Sequence, residues 1–512
     1  MRLRAFGMDG AEAGAVGRTI TVSVDAAALE DARLGLHRRA PHRSAKRVFY
    51  FTQIVAFAAL GVGLWLASMR APGATLSALH VTAIVLFAII IAWRLAAAAN
   101  LNPPLTRLSA ASECPVYTIL CPIYREASGV ADLVAAIERL DYPREAIDLK
   151  LLVEGDDTET LEAALNVASV GPVEVVIIPP SAPRTKPKAL NVGLTLARGA
   201  YVTVYDAEDR PHPQQLRAAL AAFEDGAPSL VCVQAPLAID NGDEAWIARQ
   251  FAAEYDIQFR EMLPLLARAG LPLPLGGSSN HFKIAHLRAV GGWDAWNVTE
   301  DADLGYRFAR EGMITGVIAP PTWEEAPITL RAWHRQRTRW IKGHLQTWLV
   351  LMRDPLRTLH EMGLAAFAAM QITLLGGVVA ALAHAPLALM VLTAMFTSYD
   401  LTPVDFVLAL CGYGVAFFAV LSACALSRSP APLRAALTMP FYWPLLLYPA
   451  IRAVLELFLA PHAWAKTAHG VSARTNRLAS SAPAAASPRA AAPDGFAQSA
   501  SPSQPTHRDR PV

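Results

Sequence analysis

The sequence predicts a mostly parallel α/β domain set between apolar helices long enough to cross a bilayer. Three observations carry that expectation. From Val116 onward, short β-forming runs alternate with amphipathic helical runs, and such alternation builds a parallel sheet with helices on both faces. Long apolar runs flank this region on either side, and about 20 such residues suffice for a helix to span the hydrocarbon layer. Within the middle region the polar residues gather where strands end, which is where open α/β sheets form ligand crevices.

Of the 512 residues 54% are hydrophobic and only 17% charged, a rich balance for a soluble enzyme, while a net charge of +2 points to no class of partner. The length allows two or three domains. The five cysteines, Cys114, Cys121, Cys232, Cys411 and Cys424, show neither CxxC spacing nor a paired pattern. They read as buried hydrophobes in a reducing compartment. There is no internal repeat.

Residues 1–47 read as a flexible basic region ending in Arg33, Arg38, Arg39, Arg43, Lys46 and Arg47. A secretory signal would carry its apolar core nearer the start and a small-residue cleavage site after it. Residues 48–69 and 76–93 form a transmembrane hairpin within 48–99, turned at Ala71-Pro72-Gly73. The basic cluster before it, with Arg94 and Arg107 after it, puts both flanks in the cytoplasm by the positive-inside rule. A cytosolic domain follows over residues 110–355. Its expected strands are 116–121, 148–153, 173–178 and 201–205, and its helices 130–140, 159–167 and 188–196.

Residues 363–460 return to apolar runs at 364–383, 387–397, 406–426 and 435–459, transmembrane or interfacial, interrupted by Pro386, Pro440, Pro444 and Pro449. Two to four crossings are expected. Lys466, Arg474 and Arg477 favour a cytoplasmic end and so an even number. The Ala/Pro/Ser-rich stretch 472–512 reads as disordered.

Chemistry concentrates in a few clusters. The strand 201–205 runs into Asp206, Glu208 and Asp209. Asp206 and Glu208 are two apart, so in an extended segment they point the same way. Hard cations such as Mg²⁺ take one or two carboxylates plus substrate phosphates; an acidic turn with solvated charges is the plain alternative. Glu154, Asp156 and Asp157 can accept hydrogen bonds from a base or ribose, or simply form a turn. Arg184, Lys186 and Lys188 suit a diphosphate, or a solvated basic loop. Thr299 can cap the helix after it, and Glu300 and Asp301 suit its positive end. That is a complete structural account, yet a carboxylate held there can also take a proton from an attacking hydroxyl. Gln336, Arg339 and Trp340 share one helix face by their spacing. A cationic helix beside a membrane binds lipid headgroups, whereas guanidinium also forks diphosphate and indole stacks on sugars.

Taken together and in order, Pro122-Ile-Tyr124-Arg125-Glu126, Asp206-Ala-Glu208-Asp209, Thr299-Glu300-Asp301-Ala-Asp303-Leu-Gly305 and Gln336 to Gly343 resemble a known pattern. It is that of family-2 glycosyltransferases of the membrane polysaccharide-synthase type, which include cellulose, chitin and hyaluronan synthases, with bacterial exopolysaccharide synthase-like proteins nearest. The match covers residues 115–350 and the flanking spans. The resemblance implies a GT-A (nucleotide-diphospho-sugar transferase, Rossmann-like) cytosolic domain inserted between transmembrane helices. It implies inverting, metal-dependent hexosyl transfer from a nucleotide-diphosphate sugar, UDP-linked, to a growing exopolysaccharide, processive and coupled to export. Transfer of a single sugar to a lipid-linked acceptor is the enzymatic alternative. A non-catalytic export or receptor component is the third reading, and the presence of Asp301 argues against it.

Position by position, the resemblance implies Asp301 as general base with Glu300 beside it. Asp206, Glu208 and Asp209 would be ligands of Mg²⁺ or Mn²⁺, although Glu208 departs from the usual second aspartate. Donor contacts would come from Tyr124, Glu126, Glu154 or Asp156, Lys186, Asp206, Gln336, Arg339 and Trp340, and Gly276 to Phe282 would form acceptor-side wall. The implied partners are the sugar nucleotide, a polysaccharide or lipid-linked acceptor, membrane lipid and export partners, with no nucleic acid. The implied location is the bacterial inner membrane, multi-pass, with the catalytic domain cytoplasmic.

Overall fold

The computed structural model describes residues 20–463 apart from 105–106, 112, 170, 398–401 and 428–430. The expected disordered stretch and its preceding basic residues lie outside the described residues. The chain begins with β1 (Ile20–Ser23) and α1 (Ala26–Arg39), then the apolar helices α2 (Phe51–Arg70) and α3 (Pro72–Ala98). Next come β2 (Tyr117–Ile123), α4 (Val130–Glu138), β3 (Ile147–Glu154) and α5 (Thr158–Ala168). β4 (Val173–Ile178), α6 (Lys186–Leu196) and β5 (Tyr201–Val204) complete the regular alternation. All seven elements expected between residues 116 and 205 are present.

The second half is less regular. It holds β6 (Arg210–Pro211), α7 (Gln215–Asp225), β7 (Leu230–Gln234), β8 (Leu237–Ile239), α8 (Trp246–Asp256) and α9 (Leu263–Arg268). β9 (Asn280–Lys283), α10 (Ile284–Ala289), α11 (Glu300–Arg310), β10 (Ile314–Val317) and β11 (Thr322–Glu324) follow. Two helices, α12 (Leu330–Leu351) and α13 (Pro355–Met362), lead to the last apolar region.

The main sheet has the order β1-β4-β3-β2-β5-β9-β7-β10, with β9 antiparallel to both neighbours and the other pairs parallel. A small sheet, β6-β11-β8, lies beside it. From β2 the chain steps outward to β3 and β4, then returns to place β5 on the other side of β2. That reversal is a topological switch point, and it opens a crevice at the carboxyl ends of β2 and β5. Alternate strand residues serve the two faces. Ile119, Cys121, Leu151 and Val175 pack with α4, α5 and α7, while Leu120, Leu152 and Val176 pack with α6 and α8. The α/β class set against long apolar helices is therefore what the sequence folds into.

Residues 20–47 depart from the expected flexibility. β1 extends the sheet edge along β4, and α1 packs on α6. The Asn191 side-chain amide donates to the carbonyls of Ala32 and Trp293, and Asp294 accepts from the Ser44 hydroxyl and the Ala45 N–H. Much of the basic cluster is paired internally: Arg38 with Glu30, Arg39 with Asp31 and Arg43 with Glu311. Charge counting missed this because the acids that answer those arginines lie partly on the same helix and partly across the fold.

Among the described residues, five helices are long and apolar enough to cross a membrane: α2, α3, Leu364–Phe396, Pro403–Ser427 and Met439–Leu459. Three of them lie after α13, within the two to four expected there. The runs 364–383 and 387–397 are one helical stretch that continues through Pro386.

Candidate active site

A cavity of about 500 Å³ opens at the switch point. Its wall gathers Tyr124 and Glu126 after β2, Glu154 at the end of β3, Lys186 at the start of α6, and Asp206 and Glu208 after β5. Glu300 and Asp301 enter from the first turn of α11, and Gln336, Arg339 and Trp340 from one face of α12. Of the residues singled out from sequence, Asp156, Asp157, Lys188 and Asp209 do not line it, and of Gly276 to Phe282 only Gly276, Gly277 and Ser278 do. Asp156 pairs with Arg184 at 2.6 Å and faces an adjoining acidic depression.

The strand β5 ends at Val204, so Asp206 to Asp209 form a turn, not the extended segment on which same-side pointing was argued. Asp209 is 1% exposed, and one of its oxygens accepts the Asp206 N–H at 2.8 Å. Burial, then the nearby Asp206, Glu208 and Glu324 carboxylates, push the Asp209 pKa well above the ordinary range. Its Oδ1 is buried with no hydrogen-bond partner. Carboxyl groups are thus crowded at the turn, Asp209 beneath it with its charge suppressed, and Asp206 and Glu208 facing the cavity.

Lys186 answers part of that charge. Its Nζ donates to Asp206 Oδ1 at 2.5 Å and to the Gly277 carbonyl at 2.6 Å. Burial works against the ammonium, but Asp206 and Glu300 outweigh it and hold its pKa above normal. Gly277 leaves the adjoining space open: a Cβ there would stand 3.3 Å from Asp301 Oδ2 and 3.8 Å from Lys186 Nζ. Asp301 Oδ1 accepts the Ala302 N–H at 2.8 Å. Burial raises the pKa of Asp301, opposed by that hydrogen bond and by Lys186 and Arg339. Glu300 is pushed up to about 8, by burial and then by the charge on Asp301. The two adjacent carboxyls therefore titrate together, both pushed up by burial.

Thr299 precedes α11 without capping it through its side chain. Asn297 Oδ1 instead accepts the Thr299 N–H at 3.0 Å. Two motif glycines explain themselves by close approach. A Cβ on Gly343 of α12 would come within 2.3 Å of Thr299 Oγ1, and one on Gly305 within 1.9 Å of the Leu273 carbonyl oxygen.

At the far end of the crevice Glu154 Oε1 accepts from Lys188 Nζ at 2.6 Å, both side chains buried. The other oxygen of Glu154 is buried and has no hydrogen-bond partner. Burial raises the Glu154 pKa, opposed by Lys188. Lys188 is thus a partner of Glu154, while Lys186 is the lysine that reaches the cavity.

Sequence reasoning passed over several wall residues. Glu324 on β11 and Glu254 and Tyr255 on α8 line the cavity, but they lie in stretches with no motif. Arg337 pairs with Glu254 and lies over the Trp340 ring at 4.8 Å, and Tyr255 stacks against the same indole at 6.1 Å. Two π-helical turns, Ile257–Met262 and Gln371–Gly376, also contribute to the wall. Such turns break the 3.6-residue period and occur often at functional sites. Beyond them the cavity continues among the apolar helices, reaching Ile90, Arg94, Ala380, Ala416 and Trp443.

Among the described residues, no three His, Cys, Asp or Glu side chains form a ready-made metal cage. The crowded carboxylates of the Asp206–Asp209 turn nevertheless suit a hard cation completed by substrate phosphates.

Comparison with known proteins bears on this site. Residues 118–283 match the family described as glycosyl transferase family 2, and residues 201–450 match glycosyl transferase family group 2. "Probable glycosyltransferase YdaM" of Bacillus subtilis is 27% identical over 45% of this chain and 56% of its own length. The beta-monoglucosyldiacylglycerol synthase of Synechocystis sp. is 26% identical over 52% of this chain and 57% of its own. That of Trichormus variabilis is 26% identical over 46% and 50%. The chain thus spans about half the length of the curated relatives it matches. Among solved structures, the mannosyltransferase PcManGT from Pyrobaculum calidifontis, in complex with GDP-Man and Mn²⁺, aligns with 73% of this chain and 99% of its own at 19% identity and a TM-score of 0.46. The strands and turns that build the crevice thus lie in segments similar to the glycosyl transferase family 2 and family group 2 models.

Proposed function

We propose that this protein is a membrane-embedded, inverting hexosyltransferase that uses a nucleotide-diphosphate sugar, UDP-linked, and glycosylates a lipid acceptor. The observation that supports it is a single cavity whose wall holds Asp301, Lys186, Asp206, Arg339 and Trp340 at one end and continues among apolar helices at the other. A lipid reaches such a site from the bilayer with its hydroxyl leading. The curated relatives named for monoglucosyldiacylglycerol synthesis favour the same acceptor class.

In this reading the base and ribose lie toward Tyr124, Glu126 and Glu154. Glu154 is preferred to Asp156, because its buried second oxygen lacks a partner whereas Asp156, paired with Arg184, does not line the cavity. Lys186 and Arg339 hold the diphosphate and stabilise the charge that develops on it. Asp206 and Glu208 would hold Mg²⁺ or Mn²⁺, which when bound neutralises the leaving diphosphate; Asp209 shapes the turn from beneath. Asp301 Oδ2, with its other oxygen fixed by Ala302, takes the proton from the acceptor hydroxyl as that oxygen attacks the anomeric carbon. Trp340, held by Arg337 and Tyr255, forms the wall past which the acceptor enters. The catalytic domain then faces the cytoplasm, where sugar nucleotides are made.

Polymer extension is the second reading. It is favoured by the placement of Gln336, Arg339 and Trp340, the residues of the polysaccharide-synthase resemblance, on the same wall. The deciding experiment incubates membranes containing the full chain with UDP-hexoses and Mg²⁺ or Mn²⁺. Nucleotide release with a chloroform-soluble glycolipid supports the lipid reading, and a gel-retarded polymer supports the second. No nucleotide release above an Asp301→Asn control rejects both.

A further inference from the structure

Arg94 sits near the end of α3 and reads from sequence as a topology signal. Its side chain instead lines the cavity beside Trp93 and Trp443, with the guanidinium carbon 5.6 Å from the centre of the Trp443 ring. Among the described residues it makes no ion pair. Glu254 is the cavity acid whose charge reaches it, but Glu254 Oε2 is already taken by Arg337 and by the Tyr442 hydroxyl at 2.6 Å. An arginine near a helix end ordinarily extends its head to bulk water; this one is turned into an enclosed wall. An unneutralised cation among apolar helices is costly and marks a ligand or ion path.

The groups around it share its sign of recognition. Trp93 lines the same wall, and its indole N–H is buried with no acceptor. His344 of α12 also faces the cavity; burial lowers its pKa to about 4, so it is a neutral imidazole. Around Arg94 the cavity therefore offers a guanidinium and the Trp93 N–H, with Glu254 engaged by Arg337, whereas the Asp206–Asp209 end is rich in carboxylates. A guanidinium with a neighbouring N–H suits a phosphate or carboxylate group.

We infer that the membrane end of the cavity is a binding site for the anionic headgroup of the acceptor, with Arg94 as its principal contact and Trp93 as a second donor. The acceptor class is then an acidic membrane lipid that carries a free hydroxyl beyond its charged group, the hydroxyl extending toward Asp301. This rests on the glycosyltransferase reading and narrows it, since a neutral diacylglycerol would leave Arg94 unanswered.

The test uses the full chain in phosphatidylcholine vesicles containing either phosphatidylglycerol or diacylglycerol, with wild type, Arg94→Gln and Arg94→Lys. Native mass spectrometry of the extracted protein reads lipid retention, and UDP-hexose turnover reads transfer. The expected result is preferential retention of phosphatidylglycerol by wild type and Arg94→Lys. In Arg94→Gln the turnover ratio of phosphatidylglycerol to diacylglycerol falls by roughly tenfold, the scale of one charge-assisted contact. Inorganic phosphate added at millimolar levels leaves retention intact if a lipid headgroup is the ligand; equal competition by it assigns the site to a free anion and overturns the acceptor assignment. Equal retention of both lipids, or a parallel fall in both turnovers, overturns the proposal as well. Turnover of diacylglycerol alone by wild type would sink it while leaving the glycosyltransferase reading standing.

Discussion

Asp301 and Glu300 are adjacent carboxylates to which the proposed function gives different tasks, and substitution separates them. Asp301→Asn keeps size and the N-terminal position on α11 but removes the base, so kcat should fall by about 10²–10⁴ with little change in donor KM. Glu300 already carries a proton at neutral pH, its pKa lying at about 8. Glu300→Gln imitates that form and should retain turnover at pH 7 within about threefold, a prediction set by the isostere's equal charge. The sign of the pH dependence follows from the base being active only when ionised. Turnover rises as pH climbs through the pKa of Asp301, which burial raises, so the acid limb should lie above the ordinary aspartate value of about 4. A pH profile of kcat/KM checks this, and a limb at or below the ordinary value counts against Asp301 as the base. These two residues were legible as a motif. Their coupled titration was not, because it depends on burial beside Lys186 and Arg339, which no local spacing encodes.

Elements hold the site through a few crossings. Gly343 lets α12 press on Thr299, two residues before Asp301. In Gly343→Ala the added methyl meets Thr299 and forces the helices apart, at a cost of about 1–3 kcal/mol in stability, with turnover falling more than donor affinity. Thr299→Ala removes two of the three atoms it would strike, so the double variant should regain part of the loss; additive effects in thermal melts and kinetics would show that the crossing is not the cause. A second anchor is Arg307, buried on α11, which pairs with Asp303 at 2.7 Å and donates to the carbonyls of Val290 and Gly292. Arg307→Met strands the Asp303 charge and should destabilise the fold by about 3–5 kcal/mol, measured as a lowered denaturation midpoint. At this scale the sequence was readable wherever period and strand propensity were regular, from β2 to β5. It failed at β1, whose short run pairs only through a distant edge of the sheet, and after β5, where β9 reverses direction and π-helical turns break the helical period.

Over the whole molecule, the largest apolar core does not stop at the boundary of the α/β domain. It joins Leu120, Val202 and Phe282 of the sheet with Ala416, Val420, Met439 and Trp443 of the apolar helices. α12 packs along the last apolar helix, Leu447–Leu459, through Lys342 and Glu456 at 3.0 Å, and the Gln346 amide donates to the Pro461 carbonyl at 2.8 Å while its oxygen accepts the Val298 N–H. Composition divides the chain cleanly at residues 110 and 355; packing does not. A fragment 110–355 should therefore aggregate or lose its cooperative melt when expressed alone, whereas the full chain in detergent should unfold in one transition. Circular dichroism melts of the two proteins decide this, and an independently folded, monomeric fragment would refute it. Because Gln346 fastens the segment before Asp301 to the chain just after the last apolar helix, a displacement of that helix has a short mechanical route to Asp301. In the proposed membrane-embedded reading, bilayer thickness would then act on the rate through this one amide.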